Sequence, residues 1–136
     1  MITQNDFTID PNNFGDLPQL VDDIHNAGMR YVPILDPGVS AAEPSGTYPP
    51  YDDGIDMDIF VKDRDGNVFI AKVWNPTSTA FPDFTNPKTQ EYWTKQIREL
   101  YERIPFDGLW IVSQIITVRS SWPKPITIHK MFNCRI

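Results

Sequence analysis

Leu17, Leu20, Val21, Ile24 and Ala27 recur at the spacing of one helical face, and polar residues fill the positions between them. This predicts a helix over 17–27. Asp16 stands where an N-cap belongs, Pro18 falls in the first turn where its missing N–H is harmless, and Gly28 follows where a left-handed residue ends a helix. The pattern then changes. Met29-Arg30-Tyr31-Val32-Pro33-Ile34-Leu35-Asp36 is short, apolar and rich in β-formers, and it closes on a carboxylate before Pro37-Gly38. It reads as a buried strand, with Pro33 a blemish because proline cannot donate to a ladder. A helix joined through one glycine to such a strand is half of a βαβ unit, which favours a parallel sheet.

Residues 38–56 hold Pro44, Gly46, Pro49, Pro50 and Gly54 with three aspartates, and read as an insertion loop. Beyond it, Ile59-Phe60-Val61 and Val68 to Trp74 flank Asp63-Arg64-Asp65-Gly66, whose Asp-Gly pair signals a hairpin. A second helix is expected from Asn86 and Pro87, with Trp93, Ile97, Leu100, Tyr101 and Ile104 on one face and Pro105 as its stop. Phe106-Asp107-Gly108-Leu109-Trp110-Ile111 then reads as a second parallel strand. The expected class is α/β. In such folds, ligand groups collect at the C-terminal ends of the strands, here Asp36 and whatever follows Ile111.

Composition narrows the function more than the fold. The 136 residues are 40% hydrophobic and 12% aromatic, enough for a core, and 13 prolines argue for much ordered loop. The net charge of −6 hides an asymmetry, since all 18 acidic residues lie at or before Asp107, and the stretch beyond carries only Arg119, Lys124, Lys130 and Arg135. An acidic body and four scattered cations argue against a nucleic-acid partner. Cys134 has no disulfide partner, no Cys/His spacing resembles a zinc site, and neither His25 nor His129 is nominated for chemistry. Asp56, Asp58 and the 63–66 turn do not extend into a calcium loop, and Pro76 spoils Asn75-Pro76-Thr77 as a glycosylation acceptor. No metal or cofactor is expected. No charged leader with an apolar core opens the chain, and no apolar run approaches the ~18 residues of a membrane span, so the chain as written is expected to be made in the cytosol.

Six blocks in order carry a resemblance: Asp6-Phe7-Thr8, Ile34 to Ser40, Tyr48-Pro49-Pro50-Tyr51-Asp52-Asp53-Gly54, Lys72-Val73-Trp74, Ala80 to Pro87, and Phe106 to Ile111. Over about Asp6 to Ile111 the chain resembles the retaining α-glucosidases of glycoside hydrolase family 31. The resemblance implies a fragment of a (β/α)8 TIM barrel around its third and fourth strands, with the loop after the third enlarged into the hairpin insertion at about 38–85. It implies an α-glucoside or malto-oligosaccharide ligand, whose terminal glucose would bond to Asp36 and be lined by Trp74 and Trp110. Full-length members of the family are lysosomal, of the endoplasmic reticulum or extracellular. Trp93 is assigned to the core instead.

The family's chemistry needs two carboxylates about 5 to 5.5 Å apart. Its nucleophile is an aspartate directly after the fourth-strand Trp-Ile, and here Trp110-Ile111 is followed by Val112. The stretch 112–136, without an acidic residue, reads as an unrelated tail after a partial barrel domain over 1–111. The expectation is therefore glycosidase ancestry, hydrolysis of O-glycosyl bonds by family, and no activity in this chain. The competing readings are a non-catalytic carbohydrate-binding or interaction module, or an unstable truncated gene product with its sheet edges unpaired.

Overall fold

The computed structural model describes residues 5–72 and 78–111. Helix α1 spans Leu17–Asn26 with Pro18 in its first turn, and Gly28 follows at φ 74°. The Asp16 side chain makes no capping bond, and the helix buries only Val21 completely, so the predicted apolar face is half used. Leu20, placed on that face by its spacing, is exposed.

The run from Met29 contributes only a two-residue strand, β1 (Ile34–Leu35). It pairs in parallel with β5 (Trp110–Ile111), Ile34 opposite Trp110 and Leu35 opposite Ile111. The parallel pairing agrees with the sequence, but the expected burial does not. Leu35 is in the core while Ile34, Met29 and Val32 are exposed, because among the described residues this sheet has two strands and nothing covers its other face.

The stretch 38–56 is not the plain loop its prolines suggested. It contains β2 (Val39–Ser40) and helix α2 (Pro49–Asp56), which Pro49 and Pro50 open at the positions where an N–H is not needed. Gly54 lets α2 lie directly on the Phe60 ring, since a Cβ there would collide with it. The hairpin exists as a single bridge, Lys62 to Val68, around a turn in which Asp63 Oδ1 accepts the N–H groups of Asp65 and Asn67, each at 2.9 Å, while Phe60 bridges to Pro82 instead. Strand β3 (Ile70–Ala71) pairs with β4 (Thr79–Ala80), and β4 with β2, giving an antiparallel order β2-β4-β3.

Helix α3 (Pro87–Arg103) matches its sequence signals, with the Asn86 side chain accepting the Lys88 N–H at 3.0 Å. It buries Tyr92, Trp93, Gln96 and Leu100, although Tyr101, expected on that face, is exposed. Phe7 and Phe84 meet the Trp93 ring edge-on at 5.5 and 5.4 Å, which confirms Trp93 as core. Tyr92 ties α3 to α2 by donating its hydroxyl to the Pro50 carbonyl at 2.7 Å.

Candidate functional site

Side chains directly opposite one another on parallel strands share a face, and alternate residues along a strand return to it. Ile34 and its partner Trp110 therefore belong to one face, with Leu35 on the other, and Asp36 follows directly after. Trp110 is 61% exposed and Ile34 58%. Asp36 stands at the C-terminal end of β1, as the alternation of elements predicted.

Asp36 is part-buried, and burial raises its carboxyl above the usual range. Its backbone N–H donates to Asp6 Oδ1 at 3.4 Å. Burial pushes the Asp6 carboxyl up to about 7 against that bond, and the neighbouring Asp36 charge adds to the rise. The hydroxyl of buried Tyr48 donates to the Asp6 carbonyl at 2.8 Å, and burial, then Asp6 and Glu43, raise the phenol. Next to Asp6 in the chain, Asn5 Nδ2 donates to Glu43 Oε1 at 2.9 Å. Asp6 and Tyr48 had no role assigned from sequence. Both lie in resemblance blocks, the one signal that could have pointed to them.

Of the other nominated positions, Trp74 lies outside the described residues, as do Val112 and the whole stretch 112–136. A second polar cluster sits at the opposite, N-terminal end of the parallel pair. Asp107 lies 2.8 Å from His25 Nε2, accepts from Arg30 Nη1 at 2.6 Å and from the Tyr31 N–H at 2.9 Å, and donates its own N–H to the Tyr31 carbonyl. These bonds hold its carboxyl down at about 2, the Tyr31 N–H foremost. His25 thus has a carboxylate partner that the sequence did not disclose. The cluster fastens strand entries and is far from Asp36 along both strands.

Chemically, the Asp36 face offers a carboxylate able to accept hydroxyl donors and a flat indole able to cover an apolar sugar face. Among the described residues no group of three or more His, Cys, Asp or Glu side chains is arranged to hold a metal ion, and no helix is long and apolar enough to cross a membrane.

The model of the glycosyl hydrolases family 31 TIM-barrel domain matches residues 1–130, a span that takes in Val112. The chain is 44% identical to lysosomal α-glucosidase of Bos taurus over 111 residues, which are 82% of this chain and 12% of that protein. It is 38% identical to human intestinal sucrase-isomaltase over 135 residues, 96% of this chain and 7% of the relative. It is also similar to the crystal structure of a glucosidase II α subunit in a Glc1Man2-bound form, with a TM-score of 0.66 and 25% identity, covering 80% of this chain and 11% of that one. The chain thus spans a small part of the length of each.

Proposed function

The chain belongs to glycosyl hydrolase family 31, and on that premise we propose that these residues form the glucose-holding edge of a retaining α-glucosidase site and do not cleave glycosides by themselves. β1 and β5 are the third and fourth strands of the family barrel, and the antiparallel sheet is the insertion after the third. Asp36 accepts hydroxyls of the terminal glucose of an α-glucoside or malto-oligosaccharide, while Trp110 and Trp74 wall the pocket. One observation carries this reading: Asp36 directly follows β1, at the C-terminal end of a parallel strand pair whose other strand presents the exposed Trp110.

Hydrolysis needs a carboxylate to attack the anomeric carbon and a second to protonate the leaving oxygen. The position after Trp110-Ile111 holds Val112, and no acidic residue follows Asp107 in the sequence. Titration calorimetry of the 136-residue chain with maltose tests the binding half. Saturable heat is expected, lost in Asp36→Ala; binding that Asp36→Ala leaves unchanged would overturn the assignment. An aryl α-glucoside tests the other half. No turnover is expected from the chain or from Val112→Asp, and turnover abolished by Asp36→Ala would contradict the inactivity.

A further inference from the structure

Asp6 belongs to a block that carries the family likeness, yet the sugar-holding reading gives it no task. Its surroundings fix it from two sides. The next residue, Phe7, has φ 61°, a left-handed backbone that a bulky side chain keeps only where its surroundings impose it. The imposition is visible: the Phe7 ring is buried and meets Trp93 edge-on at 5.5 Å. On the other side Tyr48, buried as well, donates its hydroxyl to the Asp6 carbonyl at 2.8 Å. The Asp6 carboxyl, held in this way, faces the N–H of Asp36 at 3.4 Å. Asp36 is followed by Pro37, which already restricts its backbone. An anchor on its N–H restricts what freedom is left.

We propose that Asp6 is a positioning residue for Asp36, its part-buried carboxyl holding the Asp36 backbone so that the Asp36 side chain keeps one orientation toward a bound sugar. The proposal rests on Asp36 being the sugar acceptor, but the Asp6–Asp36 coupling itself can be measured without any sugar. The Asp6 carboxyl faces the Asp36 N–H and feels the Asp36 carboxyl, the Tyr48 hydroxyl sits on the Asp6 carbonyl, and Glu43 acts on Tyr48. Below its raised pKa Asp6 is neutral; above it Asp6 becomes a second negative charge beside Asp36. Asparagine keeps an oxygen acceptor in place of the neutral acid, and alanine removes it.

The test is a pH series of amide shifts on the 136-residue chain, together with maltose calorimetry at pH 6. The Asp36 N–H is expected to shift with a midpoint near 7 in the wild type, and Asp6→Asn to abolish that inflection. Maltose affinity is expected to fall by about tenfold in Asp6→Ala, the loss of one bond of about 1.4 kcal/mol, and to change by less than about threefold in Asp6→Asn. Titration of the Asp36 carboxyl itself, also raised by burial, would survive Asp6→Asn. The wild-type and Asp6→Asn series together decide it even if Asp6→Ala does not fold, and an inflection that survives Asp6→Asn would overturn the proposal. An Asp36 amide without an inflection near neutrality would overturn the proposal, as would Asp6→Ala binding maltose like the wild type. If the amide follows Asp6 while the wild type binds no maltose, the coupling is supported and the sugar reading falls.

Discussion

Asp107 joins the entry of one parallel strand to the entry of the other, and its depressed carboxyl makes the joint sensitive to acid. A carboxyl held at about 2 when folded, against an ordinary 3.8, contributes stability above pH ~4 that is lost as the pH falls from there through about 2. Asp107→Asn should therefore lower the melting temperature at pH 6 and flatten its acid slope between pH 4 and 2, as thermal unfolding followed by circular dichroism would show. An unchanged slope would mean that the Tyr31, Arg30 and His25 contacts do not hold the charge in solution. Asp6 has the reverse sign, because its raised carboxyl loses stability as the pH climbs from about 4 to about 7. At this scale the sequence was unevenly legible. Asp36 announced itself by ending an apolar run before Pro37-Gly38, whereas the His25–Asp107 pair spans 82 positions and exists only once α1 and β5 are packed. Asp6 is hidden for the same reason, since nothing local says which backbone N–H it will face.

Strands of two residues define both sheets, and such strands are too short to show a period. That is why the three-stranded antiparallel sheet escaped a reading that found α1 and α3. Those helices carry their own start and stop signals, and Asn86, Pro87 and Pro105 bracket α3 almost to the residue. Helix α2 was missed because Pro49-Pro50 reads as a break, although prolines at the opening of a helix cost no hydrogen bond. The strand β1 offers a test of which face is core. Leu35→Ala removes a side chain only 2% exposed and should cost about 2–5 kcal/mol. Ile34→Ser, one position earlier and on the open face, should change stability by no more than about 0.5 kcal/mol. Denaturant unfolding of the two variants decides it; equal losses would mean that Ile34 is covered in solution.

For the molecule as a whole, the family match explains an otherwise awkward surface. Met29, Val32, Ile34 and Trp110 are exposed apolar groups along the parallel pair, with Ile34 and Trp110 facing the same way. In a family built on barrels, the side chains of further parallel strands cover such a face. The blocks of residues made the family legible from sequence. The open face of the sheet and its short pairing were not, because the apolar run read as a buried strand and both features depend on neighbours beyond the local pattern. Sugar binding at Asp36 and Trp110 is the decisive property. Maltose titrated into the 15N-labelled chain should shift the Asp36 amide and the Trp110 indole N–H together, saturably, while the buried Trp93 indole stays fixed. Saturable maltose binding that moves neither Asp36 nor Trp110 would contradict it.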